Sequence, residues 1–222
     1  MLNEVNPVAA ELPAVAATSA SLTRKRPKTG ERRVQILQAL ATILEQPGAE
    51  RVTTAALAAR LDVSEAALYR HFASKAQMFE GLIDFIEQSV FSLIGKVVDR
   101  QGGLPDATER GGNQAIRIIT LLMQFAEKNP GLTRVMAGDA LVFENERLQQ
   151  RMNLFFDKIE AALRQSLRDV ATVPESETPT VDAQVRASAL TAFAIGRLQR
   201  FARSGFRRAP GEHLEATLAL LV

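Results

Sequence analysis

Between Thr53 and Lys75 the chain reads TTAALAARLDVSEAALYRHFASK, two short apolar-periodic segments with only Asp62 and Val63 between them. No other stretch constrains the fold so tightly. Each segment opens on a hydroxyl able to cap a helix, Thr53 or Thr54 in the first and Ser64 in the second, which satisfies amides otherwise left unpaired at a helix start. Leu57, Ala58 and Leu61 share one face of the first segment, Leu68 and Phe72 one face of the second. Two helices joined by so short a turn must cross steeply, and that geometry suits a helix-turn-helix whose second helix lies in the major groove. Ser74, with Gln77 three residues on, fits a capping box and starts a further helix at once.

The face of the second segment away from Leu68 and Phe72 carries Glu65, Ala66, Ala67, Tyr69, Arg70 and His71. Small residues at its start let the backbone approach base edges, and the methyls of Ala66 and Ala67 can touch thymine methyls. Ser64 and the free amides beside it can bond a phosphate, while Tyr69, His71 and Lys75 are placed to hold the DNA backbone and Arg70 can do either. Lys75, in the first turn of its helix, sits against the dipole preference, which an external anion would explain. Tyr69 and His71 also have plainer readings, as an aromatic covering the core edge and as an exposed helix residue.

Formal net charge is only +2, yet Arg24, Lys25, Arg26, Lys28, Arg32 and Arg33 crowd together with Glu31 the single acid among them. Such a run is ordinarily a solvated tail; beside a DNA-binding motif it is a candidate phosphate clamp. Thr53, Thr54, Glu65, Arg32 and Arg33 therefore join the DNA-binding set of Ser64, Ala66, Ala67, Tyr69, Arg70, His71 and Lys75.

Composition sets the rest of the frame. Hydrophobic residues make up 46% of 222, enough for a sizeable core, and aromatics only 5% with no Trp, a balance that favours helices. With no Cys, disulfides, thiolate metal sites and a cysteine nucleophile are excluded, and His71 and His213 are too few for a histidine-rich metal site. Residues 1 to 23 do not read as a signal peptide, no apolar run reaches the roughly 18 residues of a membrane span, and a cytoplasmic location is expected. No cofactor, metal or membrane partner is expected.

Residues 1–28, rich in Ala, Val, Pro, Ser and Thr without periodicity, read as a disordered basic arm. Residues 29–76 form the head, its first helix carrying Val34, Leu37, Leu40, Ala41 and Leu44 on one stripe. Residues 77–222 form a helical dimerisation and partner-binding domain. There the pattern predicts a long helix over 75 to 99 with Phe79, Leu82, Ile83, Ile86, Val90, Leu93 and Val97 inward, then a break through RQGGLPDATERGGN. Helical periodicity resumes from Gln114, with a short helix across 132 to 140, long helices over 144 to 170 and 182 to 204, and a last apolar one. Glu144 and Glu146 read as helix-dipole partners. The helices at 144 to 170 and 182 to 204 are the expected dimer surface, a four-helix bundle across a two-fold axis.

Residues 29 to 80 resemble the DNA-binding domain of TetR-family regulators, ALYRHFASK matching a characteristic ending of that motif. The segments VSEAALYRHF, LIDFIEQS, FAEKNPGLTRVMAGDAL, FENERLQQRMNLFFDKIEAALRQ and RFARSGFRRAP resemble, more narrowly, the nucleoid occlusion factors of that family, over roughly residues 29 to 210. The resemblance implies an all-α, TetR-like fold. It also implies a homodimer that binds palindromic sites in double-stranded chromosomal DNA and, when on DNA, disassembles polymers of the tubulin-like division protein FtsZ. Asp62 stands where the family commonly has glycine, and Asp tolerates the left-handed conformation; the arm and GGLPDATERGG are longer than usual.

Three functions compete. The first is a DNA-dependent inhibitor of division, acting on the nucleoid. The second is a TetR-family repressor released by a small ligand, which needs a cavity with convergent polar groups; the inward stripes are mainly Leu, Ile, Val, Phe and Met, so no small-molecule ligand is expected. The third, an enzyme, lacks a metal-spaced cluster, a phosphate loop and a nucleophile elbow. For FtsZ, Phe85, which at about 100° per residue lies roughly 100° from the stripe centred on Ile86, is a candidate contact together with Lys128, although packing under a neighbouring helix is the commoner fate of such a phenylalanine.

Overall fold

A computed structural model describes residues 29–46, 51–99, 107–168 and 178–222. The expected arm over residues 1–28, with Arg24, Lys25, Arg26 and Lys28, lies outside them, as do the stretches 47–50, 100–106 and 169–177. The described residues are helical, without a strand: α1 (Thr29–Leu44), α2 (Thr54–Arg60), α3 (Glu65–Tyr69), α4 (Lys75–Asp99), α5 (Ala107–Lys128), α6 (Pro130–Met136), a 3₁₀ turn (Asp139–Leu141), α7 (Glu146–Leu167), α8 (Pro179–Arg203) and α9 (Leu214–Leu221). Among them no helix is long and apolar enough to cross a membrane, and no His, Asp and Glu come together as a metal cluster.

The first three helices fold over Ile36, Leu40, Leu44, Leu57, Leu68 and Phe72, all nearly inaccessible. Ile36 takes the inward place on α1, with Val34 and Leu37 only half-buried. On α4 the buried line runs through Ile86, Val90 and Ile94, while Leu93 and Val97 lie half-exposed. A straight helix drifts relative to any seven-residue spacing, which carries Ile94 inward and Val97 out.

α5 begins at Ala107 and not at Gln114, running through Gly111 and Gly112. The two glycines lower helix propensity without forbidding it, and Ala115, Ile118, Ile119 and Leu122 below them are wholly buried, so packing decides.

The head meets the rest at Gly131 on α6. A β-carbon there would lie 2.0 Å from the carbonyl oxygen of Ala41 on α1, so only glycine permits this contact. Beside it, burial pushes the Glu45 carboxyl above its ordinary range, opposed by the Arg60 guanidinium and by the Gly131 amide.

α4 and α7 lie side by side in the same direction, tied by Arg147 to Glu80, Arg151 to Asp84 (2.7 Å) and Glu87 (3.3 Å), and Lys158 to Glu87 (3.1 Å). Beneath that seam Phe155 stacks edge-on against Phe91 and Phe156.

Candidate nucleic-acid interface

Thr53 caps α2, its Oγ1 accepting from the Ala56 amide at 3.1 Å, and Ser64 caps α3, accepting from Ala67 at 3.3 Å. Thr54 is not a cap; its hydroxyl donates to the Glu65 carboxylate and ties the start of α2 to the start of α3. Between them Asp62 adopts φ 53°, the left-handed region. The Val63 amide reaches back to the Ala58 carbonyl and the Asp62 amide to Ala59, the paired closing bonds of a Schellman turn. Asp in the glycine position is therefore used as a left-handed helix stop. After α3 the Gln77 amide bonds Ser74 Oγ at 3.2 Å, while the Gln77 side chain accepts from the Ala73 amide at 2.8 Å, one residue beyond the cap amide of the reciprocal box.

These caps leave Ser64, Glu65, Ala66, Tyr69 and Arg70 exposed on one surface, with Ala67 half-covered and Leu68 alone buried. Tyr69 is 45% exposed, too much for a core aromatic. His71 is half-buried, its Nδ1 enclosed without a hydrogen-bond partner.

Three of the basic candidates are engaged within the protein. Arg33 donates to the His71 carbonyl and lays its guanidinium 4.0 Å from the centroid of Phe72. It clamps the end of α3 to α1, a role that the charge run does not reveal. Arg32 donates to Gln35 one turn on, at 2.9 Å. Lys75 pairs with Glu144, 69 residues away, and its ammonium sits 5.7 Å from the Phe79 ring. The anion expected outside the protein for Lys75 is thus an internal carboxylate, and Glu144, ahead of α7, is a cross-domain partner and not a dipole partner of its own helix. Its side chain is only 8% exposed. Removing one partner of so buried a pair costs about 3–5 kcal/mol, which holds Lys75 to Glu144.

Phe85 is half-buried against the core and Lys128 is exposed at the end of α5. On α7 and α8 the side away from the core carries Leu154, Val181 and Val185, each more than half-exposed.

Residues 36–82 match the family of bacterial regulatory proteins described as tetR, and residues 114–222 match the SlmA-like, tetracyclin repressor-like C-terminal domain. The nucleoid occlusion factor SlmA of Vibrio vulnificus (strain YJ016) is 50% identical over 196 residues, 87% of this chain and 95% of that protein. The chain belongs to the SlmA family of TetR-type proteins. A second SlmA relative, from Vibrio cholerae, is 49% identical over 192 residues, covering 86% of this chain and 93% of that one. Among solved structures the TetR-family regulator PfmR of Thermus thermophilus superposes with a TM-score of 0.65 at 21% identity, over 84% and 96% of the two chains. The regulator FadR of Bacillus subtilis in complex with stearoyl-CoA gives 0.64 at 16%, over 85% and 96%. At those identities the likeness shows the TetR fold alone. Membership in the SlmA family makes the protein a DNA-binding nucleoid occlusion factor and not an enzyme.

Proposed function

We propose that the protein is a DNA-activated inhibitor of FtsZ ring assembly, working in the cytoplasm on the nucleoid as a homodimer bound to palindromic sites. In this reading residues 1–28 are a basic arm, 29–76 the DNA-reading head and 77–222 the dimerisation and partner-binding domain. Its chief support is the 50% identity to a nucleoid occlusion factor, sustained over 87% of the chain. Thr53, Ser64, Ala66, Ala67, Tyr69 and Arg70 are assigned to DNA, with Thr54, Glu65, His71, Arg33 and Lys75 holding the reading surface in shape and Arg32 at its edge. The outward Leu154, Val181 and Val185 are assigned to the dimer, where α7 and α8 of two copies would close a four-helix bundle. FtsZ is assigned to a surface that includes Lys128 and the uncovered edge of Phe85.

One observation weighs against a ligand-released repressor. The buried hydroxyls of Thr133, Ser166 and Thr191 and the amide of Asn129 all donate to backbone carbonyls four to seven residues back, so these bonds are spent within the helices.

Sedimentation of FtsZ polymers, with and without the palindromic duplex that the protein selects from random DNA, tests the proposal. The wild type should reduce the pellet more with DNA. Ala67→Glu, which sets an acid against the groove, should lose both DNA and the effect; Lys128→Asp should keep DNA binding within about threefold, having no part in α3, and lose the effect. A wild type that leaves polymers unchanged in both conditions would overturn the division reading.

A further inference from the structure

The segment RFARSGFRRAP carries charge that the head does not account for. From Arg200 to Arg208 stand four arginines and no acid. All four are exposed. Among the described residues Asp139 is the carboxylate in reach of them, 4.0 Å from Arg203, whose side chain stays 66% exposed.

Arg200 and Arg203 stand on the last turn of α8, and Arg207 and Arg208 on the turn that follows it. Gly205 and Phe206 both take left-handed φ, 63° and 62°, a conformation that is costly for phenylalanine. Ser204 Oγ accepts from the amides of Arg207 (3.1 Å) and Arg208 (2.9 Å), and Arg207 Nε donates to the Ser204 carbonyl at 2.9 Å. Phe206 is seated edge-on against Phe201, ring centroids 5.2 Å apart, with the buried Arg134 guanidinium 5.1 Å from its centroid. The phenylalanine anchors inward and the two arginines after it are turned out.

Helix directions give the location. α4 and α7 start together, at Lys75 and Glu144, and run in parallel. α8 returns along α7, since Gln184 meets both Glu160 and Arg164. From Gln184 to Arg203 α8 rises about 28 Å, close to the length of α7 back to its start. The end of α8 is therefore level with Glu144 and Lys75, a few residues beyond the reading helix, and the approach of Arg203 to Asp139 agrees.

We propose that Arg200, Arg203, Arg207 and Arg208 form a second DNA-contact surface, gripping phosphates of the duplex between the two half-sites. This rests on the reading of the protein as a DNA-bound dimer joined through α7 and α8, which would set two such turns beside the two-fold axis. The basic residues are all arginine, whose planar fork matches phosphate and carboxylate alike. What favours DNA phosphate over an acidic protein is place: the surface lies at the head's end of the domain, so a duplex held by both heads passes it at high effective concentration.

The test is a salt titration of binding by the Arg207→Ala/Arg208→Ala double variant. The probes are the palindromic duplex selected by the wild type and a scrambled duplex of equal length. Affinity should fall by a similar factor on both. The slope of log affinity against log salt should shrink by about 0.9 for each lost contact, about 2 to 4 in a dimer. Arg207→Lys/Arg208→Lys should restore most of it. Should the alanine pair unfold, Arg208→Ala alone, which leaves the Arg207 bond to Ser204 in place, is read by the same slope. An unchanged slope overturns the inference, and an unchanged slope with loss of the FtsZ effect assigns the surface to an acidic protein instead. A wild type that selects no palindrome breaks the dimer reading itself, a distinct result.

Discussion

In α3 only Leu68 is buried, whereas α7 buries Leu148, Met152, Phe155, Phe156, Ile159, Leu163, Ser166 and Leu167. Both helices must hold an accurate position, and they do so by different means. Five residues cannot sustain a helix alone, so α3 is fixed at its ends: the Schellman turn at Asp62, the Ser64 cap, the Thr54 to Glu65 bond, and Arg33 on Phe72. α7 is fixed along its length by burial and by the ion pairs to α4. The contrast teaches that a short helix relieved of core duty keeps most of its surface free for a partner, while the helix that organises the domain cannot.

The strongest way to break the comparison is Phe155→Ala. Its ring is fully buried between Phe91 and Phe156, and its loss should cost about 3–5 kcal/mol. Thermal unfolding should show a large fall in Tm, and a small one would mean that α7 does not carry the domain. Next is Leu154→Arg, on the same helix but 56% exposed. The folded monomer should lose no more than about 0.5 kcal/mol, yet a charge placed in the proposed dimer surface should shift light scattering toward 24.2 kDa. An unchanged dimer would move the interface elsewhere.

Smaller effects sharpen the other side. Ser64→Ala removes the α3 cap and should cost about 1 kcal/mol, with operator affinity falling further than Tm suggests if the frayed helix is, as proposed, the reading surface. Equal affinity would show that DNA re-forms the turn unaided. The smallest expected change is at Glu45, whose folded pKa is raised, so its charge opposes folding at neutral pH and protonation relieves it on acidification. Glu45→Gln should raise Tm slightly at pH 7, and the gain should vanish as pH falls through that raised value toward the ordinary 4.5. A gain independent of pH would point to packing instead.

The helix-turn-helix was legible in the sequence because its determinants are local: a hydroxyl at each cap, an Asp able to turn left-handed, and Leu57, Leu68 and Phe72 at helical spacing need no distant partner to be read. The outward place of Ala66 followed from the same spacing, whereas the exposure of Tyr69 was left open by it. Only the tertiary structure decided where the cations go. Lys75 and Arg33 looked like phosphate ligands by sequence, but Glu144 lies 69 residues from one and Phe72 39 residues from the other, and no local pattern encodes a pair at that separation. The same holds for the start of α5, where two glycines read as a break until the burial of Ala115 and Ile118 outweighs their poor propensity, and for Gly131, whose need for a hydrogen side chain comes entirely from the Ala41 carbonyl pressed against it. Sequence determines what each short segment can become; which charges and contacts are left for DNA depends on what folding has already brought within reach.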